Sequence, residues 1–443
     1  MPQTEAPSFI RKKSGMNKRK CGWKLLRLWL AGLLFIVAGQ AAAQEISGIR
    51  YDNCIYDEAV AGLKVSVSGA HCAPLVIALG GEQCFNVSFD DLDARLRDLR
   101  YTVIHCTYDW EPTSSLLKSD YISGFGEAYI NDYSYSMNTL QHYLTYRFSF
   151  PNGEMRLTKS GNYLLCVYED EAHPLFTYRL MVVEEKVSVH PDCQASSNVA
   201  ERLTHQELRF QVRPEGVRLQ NPSRTVRVVL MQNQRTDNAM LFPKPYSQQG
   251  DVLLYDKAGA NTMEGGCEFH RFNMRSMVKT LENVWQINRT EESYHVYVYP
   301  DPDRSYKPYL SESDIIGCCL LLSDTDVQAF EVDYAHVHFE LRYDHPLDGD
   351  LYLFGELTHW RFLEEAKMTW RPDMQAYTGD LYLRAGYYNY LYLYVPRGGN
   401  RGDFTVEGSH WETENSYQFL VYYHPDGTDY DQLIGYKQTF FTQ

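Results

Sequence analysis

Alternation of apolar and polar positions is the clearest signal in the chain. In YTVIHCTYDWEP, Tyr101–Pro112, one parity carries Tyr101, Val103, His105 and Thr107, and the other Ile104, Cys106 and Tyr108. β-Branched and aromatic residues favour a pleated backbone, and bulk on both faces predicts an inner strand. Glu111-Pro112 ends the run, because proline cannot donate to a ladder. Similar runs surround it: VSVSG from Val65, LVIAL from Leu75, FNVSF from Phe85, LTYRFSF from Leu144, YLLCVY from Tyr163 and YRLMVV from Tyr178. Turn residues separate them at the spacing expected of a β-sandwich.

The pattern continues to the C-terminus and predicts an all-β chain of tandem immunoglobulin-like sandwiches. The first spans 44–185, and the charge run Glu184-Glu185-Lys186 followed by HPDCQASSNVAE marks a linker. The second spans 186–328, with LRFQVRP, TVRVVLMQN, DVLLYD, CEFHRFNM, YHVYVYP and CCLLLSD as its strands. The third spans 329–443 and contains HVHFELRY, LYLFGEL, DLYLRAGYYNYLYLYV and YQFLVYYH. Ser114–Thr139 stands apart: it mixes aromatics with small polar residues and has no clear period. A connection this long in a compact domain is usually functional, or else packs on itself.

Charge changes the picture at the N-terminus. Residues 1–43 hold eight Lys/Arg and one acidic residue, and the remainder holds 34 basic and 56 acidic side chains, a net −22. So acidic a body repels phosphate backbones, which argues against nucleic acid as a partner. Lys18, Arg19, Lys20, Lys24 and Arg27 precede the apolar run Leu28–Gly39, which is too short to span a bilayer, and Ala41-Ala42-Ala43 supplies a cleavage site. Residues 1–43 therefore read as a signal peptide, with Met16 an alternative start, and no later stretch reads as a membrane span.

Candidate chemistry is sparse. Nine cysteines follow the signal, an odd number that leaves at least one thiol free or bonded to another chain, and their spacing shows no metal framework. Cys84, Cys106 and Cys166 read as small buried hydrophobes, and the vicinal Cys318-Cys319 has a redox role as its alternative. His105, Cys106 and Asp109 could suggest catalysis, but no base–nucleophile–orienter set accompanies them. His336 and His338, with Glu340 and Arg342, could share zinc. The preferred reading is a solvated strand face with Val337, Phe339 and Leu341 turned inward. No catalytic, metal or cofactor residues are expected. The residues set apart as a partner-binding surface are Ile122, Phe125, Tyr129, Ile130, Tyr133 and Tyr135, with Gly124 and Gly126 allowing adaptation.

A resemblance rests on ordered motifs: SFDDL (Ser88–Leu92), SGNYLL (Ser160–Leu165), Tyr135–Gly153, NPS (Asn221–Ser223), MQN (Met231–Asn233), EFHRF (Glu268–Phe272), Glu407–Tyr423 and YDQLIGY (Tyr430–Tyr436). With them the chain resembles the plug proteins of the type IX secretion system. It departs from that family at Cys106-Thr107 and in IIGCCLLL from Ile315. The resemblance implies a non-enzymatic periplasmic plug that meets a large outer-membrane translocon barrel. FGELTHW (Phe354–Trp360) with LRAGYYNYLY is similar to early-set, carbohydrate-binding immunoglobulin-like domains. That similarity offers the alternative of a glycan-binding module, with Trp360 and Trp370 stacking on sugar rings; the preferred reading is that both pack within the sandwich. The mature form should begin at Gln44, which mass spectrometry of the exported protein would show; a retained basic N-terminus would favour a membrane anchor instead.

Overall fold

The computed structural model describes residues 46–321 and 332–441; the signal-peptide segment lies outside them. Alternation sets the architecture, and the chain is built of tandem β-sandwiches. In the first, Arg100–Cys106 lies between Gly161–Asp170 and the short Ala128–Tyr129, in a sheet continued by His173–Val183 and Cys54–Ile55. The opposing sheet runs Val60–Val67, Phe85–Asp91, Leu144–Phe150, Asp132–Tyr135. Val65, Val87, Phe89 and Tyr146 from one sheet meet Tyr101, Val103, Leu165 and Phe176 from the other in a common core. The expected inner strand is thus in place.

The two later sandwiches do not follow the linear order expected for 186–328 and 329–443. Val226–Gln232 pairs with Asn415–Tyr423, which pairs in turn with Gln432–Phe441. These strands share a core with Val187–Ala195 and His205–Pro214. Between them the chain builds another sandwich. His270–Asn273, Cys319–Leu320 and Gly349–Phe354 pair with Tyr387–Pro396. The other sheet joins Val284–Arg289, Tyr294–Val298, Tyr334–Arg342 and Ala376–Arg384. The third sandwich is therefore nested inside the second. Local periodicity announces each strand but does not say which distant strand it pairs with, so a nested order reads as a linear one.

The three cores are tied together. Met181 and Val183 of the first sandwich pack with Met231, Leu420, Tyr422 and Leu433 of the second. Toward the third, Lys64 Nζ lies 2.5 Å from Glu356, and Arg384 lies 3.0 Å from the buried Asp90, which also accepts from the Tyr334 hydroxyl at 2.6 Å. Gly62 is required there: it has φ +56°, and a Cβ would come 2.5 Å from the Tyr334 hydroxyl. Cys318 bonds Cys72, not its neighbour Cys319, and the bond spans 246 residues. Cys106 and Cys166 are buried free thiols, and Cys84 is half-buried. Among the described residues, no helix is long and apolar enough to cross a membrane.

A crosslink over so long a loop restricts the unfolded chain strongly. Cys72→Ser should cost about 2–4 kcal/mol, as should reduction of the wild type. Thermal unfolding with and without reductant tests this; a midpoint insensitive to both would show that the bond restrains nothing that the cores do not already hold.

Candidate functional site

The segment expected to be an irregular loop is mostly structured. It forms a one-turn helix, Lys118–Tyr121, and the strands Ile122–Gly124, Ala128–Tyr129 and Asp132–Tyr135. These pair respectively with Met155–Leu157, Arg100–Cys106 and Leu144–Phe150. Pairing decides which side chains face out. Ile122 and Ile130 are buried in the first core, so they leave the expected surface. Phe125 and Tyr129 are 68% and 60% exposed, Tyr133 and Tyr135 are exposed, and so are Leu117 and Met137. Apolar character suggested all six residues; it could not separate the two that strand pairing turns inward.

Local contacts hold this surface. Tyr133 and Tyr135 meet edge to face at 6.3 Å. The Arg100 guanidinium lies 5.8 Å from the Tyr129 ring and 5.5 Å from Tyr168, close enough for a cation–π attraction. Glu127 pairs with Arg100 at 3.2 Å and accepts from the Tyr168 hydroxyl. That hydrogen bond, with Arg100, keeps the Glu127 carboxyl below its usual range. Gly124 serves close packing rather than adaptation: at φ +108°, a Cβ would sit 2.1 Å from the Glu154 carbonyl oxygen.

The titratable groups raised by the sequence are engaged structurally. His105 is buried, with Nδ1 2.9 Å from Thr113 Oγ1 and Nε2 3.2 Å from the Ser160 carbonyl. A carbonyl only accepts, so Nε2 carries the proton and the Thr113 hydroxyl donates to Nδ1. Burial pulls His105 down to about 4, and burial with Lys64 and Arg361 nearby does the same to His359. Trp360 is 8% exposed and packs with Phe269 and Phe354, and Trp370 packs 5.3 Å from Tyr377. Trp360 is therefore no open platform for a sugar ring, and Trp370 is half-buried.

Sequence reasoning took EFHRF for a plain structural strand and missed its polar network. His270 Nδ1 is 2.9 Å from Asp301, and its Nε2 is 3.1 Å from Glu407. Arg304 Nε donates to Glu407 at 2.7 Å, and the Tyr390 and Tyr392 hydroxyls donate to Asp301 at 2.6 and 2.8 Å. Both ring nitrogens of His270 face carboxylates, so both carry protons. Burial and Arg304 disfavour that charge, but Asp301 and Glu407 outweigh them and hold His270 up at about 9. Burial likewise opposes the Glu407 carboxylate, yet Arg304 and His270 hold it down at about 2. Two acids and two cations balance, and His270, Asp301 and Arg304 line a cavity of about 350 Å³ with Glu268, Tyr299 and Lys307. The histidine within an otherwise aromatic strand was the available signal; its partners lie 31 and 137 residues downstream.

Fold and site together define an all-β protein of tandem sandwiches, whose buried charges hold strands in place and whose first domain presents a set of exposed aromatic rings. Residues 60–184 match the family model described as the type 9 secretion system plug protein 1st domain. The match over that span supports a role related to type IX secretion. It is also similar to a hypothetical protein from Parabacteroides merdae ATCC 43184 known from a crystal structure. The TM-score is 0.85 at 29% identity, over 89% of this chain and 100% of that one. No curated protein matches.

The titrations have opposite signs. His105 and His359 have lowered folded values, so the unfolded chain binds more protons as pH falls from 6.5 to 4, and stability drops across that window. His270 has a raised value, so its contribution is complete below 6.5 and is lost as pH climbs through about 9. Urea midpoints should peak near neutrality, and the alkaline limb, worth on the order of 2 kcal/mol, should flatten in His270→Gln. Stability rising steadily from pH 7 to 9 would contradict this assignment.

Proposed function

We propose that the protein is a non-enzymatic periplasmic plug that binds the periplasmic end of the type IX translocon's outer-membrane barrel and seals it. The observation that carries this reading is the family match over residues 60–184. Two features support it. The exposed rings of Phe125, Tyr129, Tyr133 and Tyr135 lie within that matched span. Large, amphipathic aromatics are the residues that anchor protein interfaces. The tied cores form a stiff body, which suits a part that must resist deformation.

In this reading the contact surface is Phe125, Tyr129, Tyr133 and Tyr135. Ile122 and Ile130 support it from beneath and do not touch the partner.

Pull-down from solubilised outer membranes, paired with thermal unfolding, tests the proposal. Phe125→Ala with Tyr129→Ala should leave the melting temperature within a few degrees of wild type, because both rings are exposed. Binding to the barrel should weaken by about thirtyfold per residue if each is a hot spot of about 2 kcal/mol. Cells carrying the double variant should leak small solutes. Unchanged yield with unchanged stability would remove these rings from the interface; absence of any large barrel in the wild-type pull-down would overturn the plug reading itself.

A further inference from the structure

The outer face of the third sandwich gathers three histidines that the chain keeps far apart. Tyr294–Val298 runs parallel to Tyr334–Arg342, setting His295 beside His336 and Tyr297 beside His338. Ala376–Arg384 sets Asp380 beside His338 and Tyr382 beside His336. Val296, Val337 and Phe339 are buried in the core, so alternation turns the three histidines outward together. The rings form a row: His295 to His338 at 5.3 Å, with planes nearly parallel at 7°, and His295 to His336 at 5.2 Å. Tyr297 lies 4.4 Å from His338 at one end, and Tyr382 lies 4.8 Å from His336 at the other.

The hydrogen bonds order the protons on this row. His338 Nδ1 is bonded to the Asp380 carboxylate, which only accepts, so that nitrogen carries a proton and Nε2 presents a lone pair. His295 Nδ1 lies 3.0 Å from that lone pair and must be the donor. His295 Nε2 in turn accepts from the Ser293 hydroxyl at 3.2 Å. A carboxylate holding the far nitrogen of an imidazole is the arrangement that orients metal-ligating histidines.

We propose that His295 and His338 form a seat for a divalent transition-metal ion of the imidazole-preferring kind, zinc, nickel or copper, with His336 joining as third ligand. Two imidazole nitrogens on one zinc, at 2.0–2.1 Å and an angle between right and tetrahedral, are roughly 2.9–3.4 Å apart. The His295–His338 separation of 3.0 Å falls within that bite, so an ion takes the place of the shared proton once the two rings turn their lone pairs onto it, with the strands unmoved. The balance is a tautomer change: the His295 proton passes through solvent from Nδ1 to Nε2, where the Ser293 hydroxyl turns to accept it, and the neutral Nδ1 of His295 and Nε2 of His338 donate their pairs to the metal. Among the described residues, no three His, Cys, Asp or Glu side chains already surround a common point. His336 completes the set by turning about its own side-chain bonds, and water fills the remaining position.

Calorimetric titration of Zn²⁺ into the whole exported chain tests the site. One equivalent should bind the wild type. Affinity should fall at least a hundredfold in His295→Ala or His338→Ala, about tenfold in His336→Ala, and 10- to 100-fold in Asp380→Asn. Should a variant fold poorly, the wild type alone decides: equimolar Zn²⁺ should shift the imidazole NMR signals of His295 and His338. Unshifted signals, no saturable heat, or an affinity unchanged in the His295→Ala and His338→Ala variants, as an adventitious ion would give, each overturns the proposal.

Discussion

The rest of the molecule depends on one strand that is buried on both sides. In Asn415–Tyr423 every residue is buried. Tyr417, Phe419, Val421 and Tyr423 enter the second core, while Leu420 and Tyr422 pack against the first sandwich. The Tyr422 hydroxyl donates to Asn162 of the first sandwich at 2.8 Å. This strand arrives only after the third sandwich is complete, so the second sandwich closes last along the chain. Burial of both faces then couples closure to docking: the ladder to Val226–Gln232 cannot form without presenting Leu420 and Tyr422 to the first domain. The covalent tie from Cys72 to Cys318 and the Asp90–Arg384 pair hold the nested sandwich against the same domain.

Buried charge plays a supporting part, and the reason is chemical. Taking an ion out of water costs several kcal/mol unless its partners restore what water supplied. Asp301, Glu407, His270 and Arg304 restore it for one another, and Tyr390 and Tyr392 fill the remaining acceptor positions on Asp301. Removing any one leaves an uncompensated charge. Such a cluster fixes register between strands more strictly than apolar packing does, because a slipped strand would strand a charge. That strictness is useful where a strand of alternating tyrosines, Tyr387–Pro396, could otherwise pair in several registers.

What could be read from the sequence was what a period of two records. The inner strand at Arg100–Cys106 and the outward turn of His336 and His338 with Val337, Phe339 and Leu341 inside were both legible. Trp360 offered no such pattern; its expected packing in the sandwich holds, but its contact with the distant Phe269 depends on the tertiary arrangement. The nesting, the Cys72 partner of Cys318, and His295 beside His336 all depend on pairings between distant segments. Each is a choice among many strands of similar composition, and nothing local distinguishes them. The segment 114–139 fell between these cases. Its aromatics were visible, but the short strands that bury Ile122 and Ile130 are set by partners at Met155–Leu157 and Arg100–Cys106.

That last point bears on how the exposed rings could work. A flexible loop that orders on contact loses about 1–2 kcal/mol of backbone freedom for each residue fixed. Here much of that ordering is already in the fold. Tyr133 and Tyr135 stand on a strand hydrogen-bonded to Leu144–Phe150. Tyr129 is paired to Arg100 and lies by its guanidinium, and Phe125 is anchored by its own amide to the Glu154 carbonyl at 2.8 Å. Rings held out from a rigid sheet meet a partner with most of that cost removed, so modest apolar area can yield useful affinity. Preorganised contact over a limited surface gains strength without the slow reordering that a large adaptive interface needs on each encounter.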